Sequence, residues 1–168
     1  EAHYTFIAAH QTEEAYNHTD SRRLYLRLLE LDAQQYVSNS LEYLVQVYHG
    51  IGRACYGLSD FNEVKKWQTK SLEIATQAGD IYGIAQAEFA LGEVDMRQGN
   101  YDVALSLAIA SKEKYQQLGN TKKVAYGLMI IGMIQARTGL LPEGTKTTEE
   151  CLTIMQALGD EVAIARAM

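Results

Sequence analysis

Residues 81–120 read IYGIAQAEFALGEVDMRQGN followed by YDVALSLAIASKEKYQQLGN, two 20-residue halves that both end in Gly-Asn. A glycine next to a short polar residue, or one half of that pair, returns at the same 20-residue spacing along the chain. These positions are Thr19-Asp20, Asn39-Ser40, Ser59-Asp60, Gly79-Asp80, Gly139-Leu140 and Gly159-Asp160. Glycine readily adopts the left-handed conformation that ends a helix, and Asp, Asn or Ser caps the next one. The spacing therefore predicts helices of roughly 15–18 residues joined by tight turns.

The contents of the segments repeat every 40 residues. The first helix of three successive repeats carries a glycine at one register, and the second helix carries a small residue at another. The two sets are Gly52, Gly92 and Gly132, and Ser71, Ser111 and Cys151. Small residues at fixed sites allow two helices to approach closely. A glycine inside a helix costs about 1 kcal/mol relative to alanine, so three at one register indicate a packing role.

The repeat divides the chain into helix pairs. The predicted repeats span about residues 1–40, 41–80, 81–120 and 121–160, with a truncated fifth repeat at 161–168. The predicted helices outside the third repeat are Glu1–Thr19, Asp20–Ser38, Leu41–Leu58, Phe61–Ala78, Thr121–Arg137 and Leu141–Leu158. The first repeat matches least well, as is typical of a terminal repeat. Because the chain starts at Glu1 and stops early in a fifth repeat, we expect it to be part of a longer polypeptide with an effector region beyond Met168.

The third repeat carries the pattern of a known family. Leu91-Gly92, Gly99, Tyr101, Ala104 and Ser111 follow the order and spacing of the tetratricopeptide (TPR) motif, and the second and fourth repeats follow it more loosely. The chain resembles a TPR array of the longer 40-residue form seen in kinesin light chains and bacterial signalling and regulatory proteins. It departs from the motif at several aromatic positions, and Gly-Asp or Gly-Asn replaces the closing proline. The resemblance implies an all-α fold, an α-α superhelix in which antiparallel helix pairs form one solenoid over residues 1–168.

Composition narrows the classes of function. With 47% hydrophobic and 21% charged residues, the chain resembles an ordinary globular domain. It has no apolar run near the ~20 residues that a membrane span needs. A net charge of −6 argues against a nucleic-acid partner, which requires a basic stripe. Cys55 and Cys151 fall in different repeats, so we expect no disulfide and a reducing, cytoplasmic location.

The resemblance also predicts a binding surface, because the first helix of each TPR pair lines the concave side of the superhelix. The inward positions are Gln46, His49, Arg53 and Tyr56 in the second repeat, Gln86, Phe89, Glu93, Met96 and Arg97 in the third, and Tyr126, Met129, Met133 and Arg137 in the fourth, with Phe6, Ala9, Glu13 and Tyr16 as weaker counterparts in the first. Methionine adapts to varied apolar shapes, so such a groove suits a peptide or a partner helix.

A second interpretation of the apolar members of this groove stays open. Phe89, Met129 and Met133 could instead pack against neighbouring helices, since Tyr126 and Ile130 help to make the fourth repeat's first helix apolar nearly all round.

The arginines of the groove have two interpretations as well. Arg53, Arg97 and Arg137 recur at nearby levels of three repeats and could meet an acidic tail, or they could be solvated surface residues. The Lys and Asn residues of a chaperone-type carboxylate clamp are missing from the inward positions.

Catalytic, metal and cofactor sites are not indicated. His3, His10, His18 and His49 lack the i, i+4 spacing of a helical zinc site. No phosphate loop and no G-x-S-x-G elbow occurs, and Cys151 occupies a core position of the repeat. We therefore expect no enzyme, no metal and no cofactor.

The predicted function is a non-catalytic protein- or peptide-binding scaffold or sensor module of a larger signalling or regulatory protein. The main alternative is self-association into a homo-oligomer through the open ends of the solenoid. A third, weaker alternative is a small-ligand sensor or enzyme, which would require a closed pocket.

Overall fold

The computed structural model describes residues 2–33 and 40–159, and these residues form helices and turns without any strand. The helices are α1 (Ala2–Glu14), α2 (His18–Ala33), α3 (Leu41–Gly57), α4 (Phe61–Ala78), α5 (Ile81–Arg97), α6 (Tyr101–Gln117), α7 (Thr121–Arg137) and α8 (Leu141–Leu158). The predicted all-α class is confirmed. The expectations for Asn39, Asp160 and the fifth repeat at 161–168 lie outside the described residues. None of the described helices combines the length and apolar character of a bilayer-spanning segment.

The turns from α4 onward follow the predicted chemistry. The glycines that lie one or two residues beyond the ends of these helices all have positive φ angles, between 66° and 88°: Gly79, Gly99, Gly119, Gly139 and Gly159. The residues after Gly79 and Gly119 cap the next helices, since Asp80 Oδ1 accepts from the Gly83 N–H and Asn120 Oδ1 from the Lys123 N–H. Asn100 and Leu140, which follow Gly99 and Gly139, make no such cap. The bounds predicted for α4, α7 and α8 agree with the structure.

The first turn lies earlier than predicted. It was expected at Thr19-Asp20, but α1 ends at Glu14 and α2 begins at His18. No glycine is present there, and Tyr16 takes the left-handed conformation instead, with φ of 56°. Asn17 then caps α2, because its Oδ1 accepts from the Asp20 N–H at 3.2 Å. Asp20 therefore belongs to the first turn of α2, where its charge is favourable.

The chain divides into two compact parts, which we call the N-terminal body (Glu1–Ala90) and the C-terminal body (Leu91–Met168). The division falls inside α5. In the N-terminal body, α1 packs on α2, α2 on α3, and α3 on α4. In the C-terminal body, α7 packs against both α6 and α8. Each body thus buries the apolar faces of its helices against their neighbours in sequence.

The repeated glycines have the packing role that was predicted. A Cβ at Gly52 would overlap the side-chain amide of Gln68 on α4, and one at Gly132 would lie 2.7 Å from Thr148 Oγ1 on α8. The equivalent Cβ at Gly92 would be 3.3 Å from Leu107 Cβ on α6. In all three pairs the missing side chain allows the second helix to approach the first.

The small residues of the second helices bond across the same helix pairs. Ser71 Oγ donates to the Val45 carbonyl at 3.2 Å, and Cys151 Sγ donates to the Ala125 carbonyl at 3.2 Å. The two acceptors occupy equivalent places, each 26 residues before its donor. Cys151 is fully buried, so it serves as a core residue, as predicted.

Candidate functional site

The N-terminal body carries six of the predicted groove residues. On α3, Gln46 and Arg53 are exposed, whereas His49 and Tyr56 are half-buried. Their helical spacing puts the four on one face of α3. Gln86 and Phe89 are half-buried on α5.

Arg53 is engaged by a buried carboxylate. Its Nε lies 2.6 Å from Glu13 Oε1 on α1, and the Tyr25 hydroxyl of α2 donates to Glu13 Oε2 at 3.1 Å. The Glu13 side chain is 7% exposed, whereas that of Arg53 is 58% exposed. Burial, together with the charge and hydrogen bond of Glu13, raises the pKa of Tyr25 well above its ordinary value. The groove cation predicted at Arg53 is thus neutralised within the chain, and an acidic tail would have to compete with Glu13.

His49 is fixed by a residue that sequence reasoning missed. Its Nδ1 lies 3.0 Å from Gln68 Oε1, and Gln68 Nε2 donates to the His49 carbonyl at 3.3 Å. Gln68 is fully buried on α4, in the space left by Gly52. Because the Gln68 amide nitrogen donates to the His49 carbonyl, its oxygen faces the imidazole, and the tautomer with a proton on Nδ1 can donate to it. The polar Gln68 at a core position of α4 could have indicated this contact from the sequence.

A second feature absent from the prediction is an aromatic stack outside the groove positions. The rings of Tyr48 and Trp67 stack with centroids 5.8 Å apart, and the ammonium groups of Lys66 and Lys70 lie 5.0 and 4.9 Å from the indole centroid. The indole N–H donates to Glu63 Oε2 at 2.8 Å. Hydrogen bonds from Lys66 and Trp67 lower the pKa of Glu63. The lysine stems cover the largely buried tryptophan, so the cluster joins α3 to α4.

The C-terminal body presents a distinct surface on α7, which we call the α7 stripe. It consists of Lys122, Tyr126, Met129, Met133 and Arg137, which are spaced by three or four residues and so share one face of the helix. The two end residues are exposed, and the three between them are half-buried. Most other positions of α7 are buried, although Lys123 and Gln135 are half-buried and Thr121 and Ala136 are exposed. The buried residues are Val124, Ala125, Gly127, Leu128, Ile130, Ile131, Gly132 and Ile134.

The α7 stripe is cationic in an acidic chain. Helix α7 contains Lys122, Lys123 and Arg137 and no acidic residue, whereas the chain as a whole has a net charge of −6. The ammonium groups of Lys122 and Lys123 lie 6.0 and 5.9 Å from the ring centroid of Tyr126. Positive charge is therefore gathered at the N-terminal end of the stripe, around an aromatic ring, and returns at Arg137. Lys122 was not among the predicted groove residues, although its spacing from Tyr126 could have identified it.

Three of the predicted inward positions are buried instead of exposed: Met96 on α5, and Ala9 and Glu13 among the weaker counterparts on α1. Met96 on α5 is 4% exposed and cannot offer a contact surface, so its assignment to the groove was wrong. Glu93 and Arg97 on the same helix are half-buried and exposed. Met96 lies at the edge of the face that they define, and Asp95 beside it is also buried, accepting from Asn100 Nδ2 at 2.8 Å.

The side chains that could bind a metal or act as nucleophiles are dispersed or buried in the described part of the chain. Among the residues that the structure describes, no three His, Cys, Asp or Glu side chains come together in a way that could hold a metal ion. Cys55 and Cys151 are unbridged and buried, and burial raises the pKa of both thiols. Both therefore stay protonated at neutral pH, where a thiol is a poor nucleophile.

Comparisons with known proteins identify the architecture. No family model matches the chain, and no curated protein sequence matches it. Among solved structures, a Rap protein in complex with Competence and Sporulation Factor matches with a TM-score of 0.85 and 15% identity, over 98% of this chain and 45% of that one. Aspartyl phosphate phosphatase F from Bacillus subtilis matches with a TM-score of 0.85 and 11% identity, over 99% and 43%. The TPR-like repeats of a putative kinesin light chain from Podosopora anserina match with a TM-score of 0.55 and 14% identity, over 98% and 90%.

These likenesses establish the fold. At identities of 11–15% they show that the chain has the architecture of a TPR-like helical solenoid, which confirms the resemblance noted in the sequence. The chain spans less than half the length of the Rap protein and of phosphatase F.

Proposed function

We propose that the chain is a non-catalytic protein- or peptide-binding module and that the α7 stripe is the part of the predicted groove that holds the partner. The observation that carries this proposal is that α7 is buried over most of its surface and leaves the stripe accessible. The remaining face has a cation at each end and Tyr126, Met129 and Met133 between them. A face of this kind has both the charge and the apolar area that a specific contact requires.

The dimensions of the stripe limit the partner. Fifteen residue steps separate Lys122 from Arg137, which is about 22 Å along a helix. An extended segment of about seven residues covers that distance. Carboxylates near both ends of such a segment would meet Lys122 and Arg137, and apolar side chains in the middle would lie on the two methionines, whose flexibility accommodates different shapes. The proposed partner is a short acidic segment with an apolar centre.

The fold is compatible with this role. One of the similar structures, the Rap protein, was solved with Competence and Sporulation Factor bound. That complex shows that a chain of this architecture can bind a partner, but the site must be argued from this chain's own residues. A role within a larger signalling or regulatory protein, in which partner binding alters an attached effector, is part of the same proposal.

The test uses a fluorescein-labelled heptapeptide with two acidic residues at each end and three leucines between them, and fluorescence anisotropy measures its affinity. Replacing Met129 or Met133 by serine should weaken binding by about tenfold, because about 1.4 kcal/mol of apolar contact is lost. Val103→Ser is the matched control, since Val103 is an exposed apolar residue on α6 of the same body. Circular dichroism should show unchanged helicity in all three variants.

A second peptide, with lysines in place of the acidic residues, tests the charge of the partner. The acidic peptide should bind more tightly than the basic one, and the difference should shrink as salt is added. Equal affinity of all variants for the acidic peptide, or tighter binding of the basic peptide, contradicts the proposed site.

Self-association is the second candidate function. Leu140 and Leu141, at the turn before α8, are 48% and 62% exposed and form a small apolar surface. A stable dimer would have to bury about 800 Å² on each partner, more than two leucines provide. Light scattering over a range of protein concentrations decides between monomer and dimer, and a monomer throughout eliminates this candidate.

A further inference from the structure

The sulfur-containing residues that the structure describes in the C-terminal body differ in their exposure. Met155 is fully buried and Met96 is 4% exposed, and Cys151 is buried on the same helix as Met155. Met129 and Met133 are half-buried on the α7 stripe, four residues apart and on one face of the helix. Among the residues that the structure describes in this body, a dissolved oxidant therefore has access to these two methionines and is kept from Met96, Met155 and Cys151.

We propose that Met129 and Met133 form an oxidation site at which a hydroperoxide converts both side chains to sulfoxides and so releases the partner from the α7 stripe. This inference rests on the proposed function, because the consequence for binding requires that the stripe is the contact surface. The two cysteines do not compete with the pair, since Cys55 and Cys151 are both buried.

The chemistry balances without any catalytic group on the protein. The thioether sulfur attacks the outer oxygen of hydrogen peroxide, the O–O bond breaks and an S–O bond forms. The sulfur is oxidised by two electrons, and the proton on the transferred oxygen passes to the departing hydroxide to give water. Methionine sulfoxide reductases reverse the change with electrons from a thiol reductant, so the modification can be removed.

Oxidation would change the stripe in the region where an apolar contact is expected. Two sulfoxide oxygens would replace the flexible apolar surface between Tyr126 and Arg137 with strong hydrogen-bond acceptors. The sulfoxide of Met133 would lie one helical turn from Arg137 and could accept a hydrogen bond from its guanidinium. An acidic segment with an apolar centre would then lose apolar contact in the middle and compete for a cation at one end.

The primary structure makes the site easy to map. Cleavage after Lys and Arg residues puts Met129 and Met133 in the peptide of residues 124–137, Met96 in that of 71–97 and Met155 in that of 147–166. The folded protein is treated with hydrogen peroxide for graded times and then digested, and the peptides are analysed by mass spectrometry. Sulfoxide should form in the 124–137 peptide about tenfold faster than in the other two. Oxidation of Met96 and Met155 at the same rate as the pair overturns the inference.

Binding of the acidic fluorescein-labelled heptapeptide is measured on the same samples. Affinity should fall by about tenfold or more when both methionines are oxidised, with helicity unchanged, and should return after treatment with methionine sulfoxide reductases and dithiothreitol. The control is the double variant Met129→Leu with Met133→Leu, which keeps apolar surface but has no oxidisable sulfur on the stripe. The affinity of this variant for the peptide is measured before and after peroxide, and the two values should be equal whatever its starting affinity.

The outcomes separate this inference from the proposed function. Failure of the untreated protein to bind either heptapeptide overturns the proposed function. Binding that survives complete oxidation of both methionines overturns this inference alone. An equal loss of affinity in the leucine double variant after peroxide would place the sensitive group elsewhere and also overturns it.

Discussion

Replacing Arg53 by methionine tests whether the N-terminal body contains a carboxylate that depends on that arginine. Glu13 is 7% exposed and has Arg53 Nε 2.6 Å from one oxygen and the Tyr25 hydroxyl 3.1 Å from the other. Arg53→Met would leave this carboxylate buried with one neutral donor, whereas Glu13→Gln would leave an arginine that is 58% exposed and free to interact with water. The two halves of the same ion pair should therefore have unequal costs.

The magnitudes follow from the exposure of the two partners. Removing one partner of a fully buried pair costs about 3–5 kcal/mol, and an exposed pair contributes about 1 kcal/mol or less. With one partner buried and the other more than half exposed, Arg53→Met should lower the free energy of unfolding by about 2 kcal/mol, between these limits. Glu13→Gln should cost about 1 kcal/mol, because the amide oxygen can still accept from Tyr25. The double variant should cost about 1.5 kcal/mol, so the sum of the single changes should exceed it.

Urea unfolding followed by tryptophan fluorescence is a suitable assay. The chain has one tryptophan, Trp67, and it lies in the same compact body as the ion pair. Its stacking on Tyr48 makes its emission sensitive to the unfolding of that body. A smaller cost for Arg53→Met than for Glu13→Gln, or additive costs in the double variant, would show that Glu13 is not held by Arg53 and would return Arg53 to the set of available groove cations.

Three further changes test single contacts. Burial and Glu13 raise the pKa of Tyr25, so the unfolded chain loses the hydroxyl proton of Tyr25 first as pH increases. The free energy of unfolding should therefore fall above about pH 10. Tyr25→Phe should lack that fall in urea titrations at several alkaline pH values. Cys151→Ser should change the free energy of unfolding by less than about 0.5 kcal/mol, since the hydroxyl replaces the thiol as donor to the Ala125 carbonyl. Cys151→Ala, which removes the donor, should cost about 1 kcal/mol. Thermal unfolding followed by circular dichroism compares the two variants. Ser59→Gly should stabilise the protein by about 1 kcal/mol in urea unfolding, because Ser59 has φ of 60°, and an unchanged midpoint would argue against strain at that turn.

Much of the fold could be predicted because its determinants are local. A glycine at positive φ and a capping side chain act within a few residues of the helix end, so they leave a mark in the sequence at each turn, as at Gly79 and Asn120. The turn at Tyr16 was misplaced because it lacks such a mark. A tyrosine in the left-handed conformation has no sequence signature, and there only Asn17 marked the start of α2.

The chemistry of the candidate site was harder to predict because it depends on contacts between distant residues. Glu13 and Arg53 are 40 residues apart, and the bond between His49 and Gln68 joins two helices. A repeat pattern predicts which helix faces meet, but it does not show which polar side chains on those faces pair. Arg53 was predicted as a groove cation, whereas its pairing with Glu13 was not predicted.

The repeat itself explains why the architecture is easier to predict than the partner. Where the register holds the same type of residue in every repeat, as in the glycine series that includes Gly52 and Gly132, the residue serves helix packing. Where equivalent positions of successive repeats hold different residue types, the charge and polarity of the surface differ from repeat to repeat. The position that holds Arg53 in the second repeat holds Glu93 in the third and Met133 in the fourth, a cation, an anion and a thioether at equivalent places. A repeat can vary such positions without loss of stability because they lie on the exposed side of the first helix. Specificity for a partner must therefore be sought at these variable positions, and on α7 they form a stripe that is apolar in its middle and cationic at its ends.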